Sequence, residues 1–318
     1  GFNEETIFSF DLPSTPMISF EQHHIKITIP AKGRRTVPIT ATLHEYGVLQ
    51  QSIELLAVID NEQILVHREL SALFQGHTAL FGGELETEWI ICNGGYSVHL
   101  NKLNNKTTVA QDGKEIDDTA LIFPKLGLPF SNEFVKNRPI QVAQYTEQQV
   151  MVMEAHYTMP GYEDILLVAI TKLHGNGIVK HHYRVQNTSD VSMACDLILR
   201  EGIMHDIMNN VIPYDGDYLD LRQGVDASSK DYWDFKLFTE NWFFAYRGLS
   251  NLGVSWPASQ PLMKDGWFFA IEHPLGKLHA GQVIETEPVC ISLDTFMDWR
   301  DFRAFVMQDQ NTKQLRTS

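Results

Sequence analysis

Arg200, Glu201, His205 and Asp206 fall within one short stretch, where an apolar run gives way to a polar one. A guanidinium and carboxylates offer fork-like donors and acceptors for vicinal hydroxyls, and an imidazole can act as acid or base near neutral pH. The alternative is a solvated strand end with an incidental ion pair. A second candidate, Glu272-His273, stands between Trp267-Phe268-Phe269-Ala270-Ile271 and Pro274. Strand alternation sends Phe269, Ile271 and His273 to one face and Phe268, Ala270 and Glu272 to the other. A carboxylate among apolar neighbours has a raised pKa, as a base in a dry cleft would, whereas a glutamate on a sheet edge simply faces water.

Aromatic residues crowd Tyr232-Trp233-Asp234-Phe235, Trp242-Phe243-Phe244-Ala245-Tyr246 and Trp267-Phe268-Phe269. An aromatic face beside polar groups holds the apolar face of a pyranose ring, so Trp233 and Trp242 are candidate platforms. For any one of them, strand core is the more usual fate. His23-His24 and His181-His182 do not make metal sites, because adjacent strand residues point to opposite faces. Asp215-Gly216-Asp217 with Asp220 could hold calcium in a loop but lacks the twelve-residue spacing of an EF-hand. No metal and no cofactor is expected. Cys92, Cys195 and Cys290 lie far apart without C-x-x-C spacing and read as buried thiols.

The chain has 318 residues, with 40 acidic against 25 basic side chains and a formal charge of -15. Such a field repels a phosphate backbone, which argues against nucleic acid. No apolar stretch approaches the ~20 residues of a membrane span, and the first thirty residues lack a secretory layout. The compartment stays open, with the cytoplasm favoured. The start at Gly1 looks like the scar of a removed tag on a segment of something longer, so other domains of a longer polypeptide are expected partners. G-x-S-x-G, P-loop and G-x-G-x-x-G motifs are missing, which argues against common hydrolase, nucleotide and dinucleotide classes.

The elements that must carry these residues are strands. From Met17 to about Glu84, short alternating runs such as Ile25–Ile29 and Ile53–Ile59 are broken by Pro30-Ala31-Lys32-Gly33 and Asp60-Asn61. This texture predicts an Ig-like sandwich of six or seven strands. The clusters Phe74-Gln75-Gly76 and Phe81-Gly82-Gly83 mark a boundary, giving an Ig-like domain over 1–86 and a second domain over 87–318. Longer strands follow over 88–92, 96–103, 150–158, 165–172, 178–186, 192–200, 242–247, 266–273 and 286–294, predicting a large antiparallel assembly. Residues 201–230, rich in Asp, Asn and Gly, read as a long excursion from the sheet.

Several motifs of the second part resemble the galactose mutarotase-like β-supersandwich, over about residues 88–308. Asn93-Gly94-Gly95-Tyr96-Ser97-Val98 is similar to the family's opening "N-x-x-Y-x-V" hairpin, and Met159-Pro160-Gly161-Tyr162 to its "PG" turn. Gly175-Asn176-Gly177 and the "Y-x-V-x-N-x-S" run Tyr183–Ser189 follow in family order. Ala270-Ile271-Glu272, leading to Leu278-His279-Ala280-Gly281, resembles a late "A-x-E... L-x-x-G" pattern in which the glutamate is the mutarotase general base. The family's histidine acid has no counterpart on Met193–Glu201. Losing an acid or base costs roughly 10²- to 10⁴-fold in rate, so the resemblance implies carbohydrate recognition ahead of anomer interconversion.

The reading is therefore an all-β chain: an N-terminal Ig-like β-sandwich followed by a mutarotase-like antiparallel β-supersandwich that binds a mono- or oligosaccharide. Its ligand-binding residues are Arg200, Glu201, Asp206, Trp233, Trp242 and His273, with Glu272 and His205 as base and relocated acid if the protein is an enzyme. The competing classes are an epimerase-like isomerase, a polysaccharide lyase or glycoside hydrolase, and a structural domain without ligand.

Overall fold

The computed structural model describes residues 3–59, 62–112, 114–115, 123–127, 137–204, 209–223, 235–246, 251–265 and 268–317. The chain divides into two compact units, residues 1–79 with 83–86, and residues 80–82 with 87–318.

In the first unit, β1 (Thr6–Asp11), β2 (Ile18–Phe20), β3 (His24–Ile29), β4 (Ala41–Leu43), β5 (Gly47–Ile59) and β6 (Glu62–Phe74) are all antiparallel. One sheet runs β3-β1-β5-β6, and β2 pairs with β4. Leu12, Ile18, Phe20, Ile25 and Leu49 form the core between them.

β7 (Leu80–Glu84) is divided between the units, with Leu80–Gly82 in the second and Gly83 and Glu84 in the first. After it come β8 (Glu88–Asn93), β9 (Tyr96–Asn101), β10 (Thr107–Gln111), β11 (Lys114–Glu115), β12 (Phe123–Gly127), β13 (Gln141–Glu147), β14 (Val150–Met159), β15 (Tyr162–Leu173) and β16 (Ile178–Asn187). The chain continues through β17 (Leu197–Met204), β18 (Asn210–Tyr214), β19 (Asp217–Asp220), β20 (Trp242–Tyr246), β21 (Asn251–Ser255), β22 (Leu262–Asp265), β23 (Phe268–Gly276), β24 (Val283–Glu285) and β25 (Val289–Leu293). A ten-stranded antiparallel sheet runs β13-β14-β15-β16-β25-β21-β20-β18-β19, with β24 also on β16. A four-stranded sheet runs β12-β17-β23-β22, and a five-stranded one β11-β10-β9-β8-β7.

One large apolar core joins these three sheets, with Ile91 and Val98, Leu167 and Tyr183, and Leu199 and Ile271 among its members. Alternation builds it. On β16, Val179, His181, Tyr183, Val185 and Asn187 are buried on one face, while Lys180, His182, Arg184 and Gln186 are half-buried on the other.

The turns explain several of the quoted motifs. Gly177 sits at φ +80°, and a Cβ there would meet the Tyr96 ring at 2.5 Å and the Leu293 carbonyl oxygen at 2.8 Å, so the β15–β16 turn admits glycine alone. Asn187, fully buried, donates to the Val191 carbonyl at 2.8 Å and accepts from the Ser189 N–H and hydroxyl at 3.1 and 2.9 Å. Asn93 donates to the carbonyls of Gln149 and Leu173, tying the β8–β9 hairpin to the β14–β15 layer.

Four expectations need correction. Residues 299–317 form a helix, α1 (Trp299–Thr317), that strand texture did not reveal. Asp298 caps it by accepting the Arg300 N–H at 2.8 Å, and Phe302 and Val306 bury against Val211, Trp242 and Phe244. Gly253 on β21 makes room, since a Cβ there would lie 2.6 Å from the Phe302 ring. Residues 201–230 are not wholly an excursion: Val211 and Ile212 of β18 are core. Cys195 is exposed, whereas Cys92 and Cys290 are buried, and burial pushes the Cys92 thiol up to about 12. The strand after the Asn187 turn starts at Leu197 rather than Ser192.

Candidate functional site

Two antiparallel neighbours, β17 and β23, carry the candidate chemistry, and their pleat divides it between two faces. On the outer face the register aligns Lys125 of β12 with Arg200 of β17, and Arg200 with Glu272 of β23. Arg200 donates from Nε and Nη2 to the same carboxylate oxygen, Oε1 of Glu272, at 3.0 and 2.5 Å. The two side chains keep 18% and 14% exposure, enough to meet solvent and too little for water to dissolve the pair. Glu272 Oε2 has no partner among the described residues, so the row presents an open acceptor beside a fixed guanidinium.

One residue along each strand, the chemistry faces inward. Glu201 and His273 are buried, and His273 Nε2 lies 3.1 Å from Glu201 Oε2. Burial raises the Glu201 pKa against the opposing bond from His273, which favours the neutral acid. From β16, Tyr183 sets its ring edge-on to His273 at 5.8 Å, and His181 lies 4.8 Å from Tyr183. Burial, and then the neighbouring histidines, lower His181 to about 3, so it is a neutral imidazole bonded through Nδ1 to the Thr171 hydroxyl at 2.8 Å. Glu201 Oε1, His273 Nδ1, Tyr183 Oη and His181 Nε2 are buried without a hydrogen-bond partner among the described residues. Unpaired buried polar atoms cost about 1–3 kcal/mol each, so this is the most strained polar region among the described residues.

The site expected from sequence is thus redistributed. Arg200 and Glu272 come together. Glu201 and His273 do not join them, because a one-residue step on a strand turns a side chain to the opposite face. Trp242 is no platform: it is fully buried under α1, stacked 5.8 Å from Trp299 and 6.1 Å from Tyr218, with its indole N–H donated to Glu240 at 2.6 Å. His205, Asp206 and Trp233 lie outside the described residues.

Lys125 was missed, since five residues of β12 give no period to read, and its place in the row follows from pairing alone. Asp215 and Gly216, at φ +50° and +82°, form the β18–β19 turn, and Asp220 is held by Arg222 at 2.6 Å. Among the described residues no cluster of His, Cys, Asp or Glu is suited to a metal ion. A cleft of about 310 Å³ beside α1, lined by Trp256, Glu287, Cys290 and Asp309, contains none of Arg200, Glu201, Trp242 or Glu272, so these do not line that cavity as a common pocket.

No family model matches the chain, and no curated protein matches it in sequence. Among solved structures, a TPR-domain containing protein from Parabacteroides distasonis ATCC 8503 is similar over 79% of this chain, at 11% identity and a TM-score of 0.47, and this chain spans 56% of that protein. A galactose mutarotase-like protein from Lactobacillus casei ATCC 334 is similar over 68% of this chain and 99% of its own, at 10% identity and a TM-score of 0.38. A galactose mutarotase related enzyme from Lactobacillus acidophilus is similar over 68% and 97%, at 9% identity and a TM-score of 0.33.

Proposed function

We propose that the second unit recognises carbohydrate through the outer face of the four-stranded sheet, with Arg200 and Glu272 as the principal contacts and Lys125 beside them. The observation that carries this reading is the partly exposed Arg200–Glu272 pair with its open carboxylate oxygen. Vicinal hydroxyls both donate and accept, and a guanidinium held beside a carboxylate answers both needs within one sugar's width. The ordered motifs from Asn93 to Gly281 support the same reading through their resemblance to the mutarotase-like family.

The ladder favours binding over proton transfer. Anomer interconversion needs an acid opposite the base, and opposite Glu272 stands Arg200, which stays protonated and gives up no proton. The ladder's histidine, His273, faces the other way into the core.

The test is calorimetric titration of the protein and Glu272→Gln against a panel of mono- and oligosaccharides, with anomer exchange followed by NMR. The expected result is one or more binders, weakened by about 1–3 kcal/mol in the variant, without accelerated exchange. A panel without binders, or equal affinity in both proteins, overturns the assignment.

A further inference from the structure

The two faces of the β17–β23 ladder are mechanically one object. Leu199 pairs with His273, Arg200 with Glu272, and Glu201 with Ile271, so the inward hydrogen bond between His273 and Glu201 crosses the ladder diagonally beneath the outward pair. A register irregularity between Leu197 and Ile198 ends the uniform pairing two residues before Arg200. What holds Arg200 opposite Glu272 is then the in-register stretch 198–204, and among the described residues its inner face carries the side-chain hydrogen bond between Glu201 and His273.

The geometry points to Glu201 and His273 as a positioning pair whose shared proton couples the alignment of Arg200 and Glu272 to pH. Both side chains are at least 98% buried, at 0% and 2% exposure. With one proton between them the pair is neutral overall, as acid and imidazole or as carboxylate and imidazolium. Adding a proton leaves an uncompensated positive charge, and removing it an uncompensated negative one, and either is costly in a site shut from water. Among the described residues, no full countercharge is near. The titratable groups facing the pair are Tyr183 and His181 from β16 and, behind Tyr183, Tyr157 from β14, while the β12 residue paired with Glu201 is Pro124. Tyr183 and His181 are held neutral by burial. Relief comes from shifting β17 against β23 so that water reaches the pair, and that shift moves Arg200 relative to Glu272.

The coupling matters for function only if the outer pair is the binding face, as proposed above. Its test needs no saccharide. In uniformly labelled protein, the Arg200 Nε–H resonance reports the outer pair and the His273 ring nitrogens report the inner one, both followed from pH 5 to 9. The expected result is a common midpoint for the two probes, with the Arg200 response lost in Glu201→Gln, which keeps shape and hydrogen bonding but cannot titrate. An Arg200 signal that stays still while the inner ring-nitrogen signals shift with pH overturns the inference in the wild type alone, whether or not the variant folds. An unchanged Arg200 response in a folded Glu201→Gln overturns it equally. Failure of the saccharide panel sinks the binding assignment and leaves this measurement standing, so the two are separable.

Discussion

The outer row at Arg200–Glu272 and the aromatic layer at Trp242 look alike on paper, since each joins chemistry-bearing side chains to apolar strand neighbours, yet they end in opposite environments. Arg200 and Glu272 keep one edge in solvent. Trp242 is sealed between β18, β21 and a helix that starts fifty-odd residues later, and even its N–H is spoken for by Glu240. The difference lies in what covers the strand. A tryptophan's fate depends on whether a later element lands on its face, whereas a half-buried charge pair in a sheet reports a face left uncovered, because closing it demands full desolvation of both charges.

The sharpest way to break this contrast is Trp242→Ala. Removing a fully buried indole from the layer with Phe244, Phe302 and Val306 should destabilise the second unit by about 3–5 kcal/mol, read by urea unfolding. Saccharide affinity of the folded fraction should not change. Lost affinity with little lost stability would restore Trp242 to the ligand and collapse the distinction between the two regions.

Next in size are the buried titrations behind the row. His181 is lowered from 6.5 to about 3, so the fold favours its neutral form. That stability is complete above pH 6.5 and is lost as pH falls toward 3, by up to a few kcal/mol. Glu201 runs the other way: its pKa is raised above 4.5, so its contribution is fullest below 4.5 and is lost as pH rises through the folded value. Unfolding free energy measured from pH 4 to 8 should therefore fall less on the acid side in His181→Gln than in the wild type. In Glu201→Gln, stability relative to wild type should improve toward alkaline pH. If both variants track the wild type in parallel, these groups are not titrating in the interior.

Most of the strand layout could be read from the chain because its signals are local. Period-two burial on β16 and over Met153–Met159 of β14, the Gly175-Asn176-Gly177 and Pro160-Gly161 turns, and the opposite faces of His273 and Glu272 all follow from neighbours two to four residues apart. The site was harder because it is made by pairing: Arg200 and Glu272 are 72 positions apart, and nothing local fixes which residue of β17 faces which residue of β23. Lys125 enters the row the same way. The helix escaped because, among the described residues, its buried positions are Phe302 and Val306, with Trp299, Phe305 and Met307 partly covered, too sparse a pattern to read as a helical period. Its clearest mark was Asp298 just ahead of it, a cap signal set among strand-like aromatics.

A smaller effect separates the two regions at the outer row itself. Glu272→Gln should cost about 1–3 kcal/mol of saccharide affinity, measured by calorimetry, while shifting unfolding stability less than Trp242→Ala does. A stability loss as large as that of the tryptophan variant would mean that the row is structural and the contrast false.

The smallest expected effect tests the same contrast through salt. Arg303 on α1 makes three contacts with the Glu240 carboxylate, from Nε at 3.0 and 2.8 Å and from Nη2 at 2.7 Å, and Glu240 also accepts from Trp242 and Tyr218. The geometry is that of a fork on a carboxylate, which lysine cannot reproduce. Yet Arg303 is 38% exposed, so solvent and ions reach it and the pair is worth little more than an ordinary surface bridge. Arg303→Lys should therefore cost about 0.5–1 kcal/mol at low ionic strength and close to nothing in 1 M salt, where the screening length shrinks to about 3 Å. Arg200→Lys, in a pair at 18% and 14% exposure, should keep more of its cost under the same salt. Urea unfolding of both variants at the two ionic strengths decides it. Equal salt sensitivity would mean that the Arg200–Glu272 row is as open to water as the helix clasp, and that partial burial is not what distinguishes the two faces.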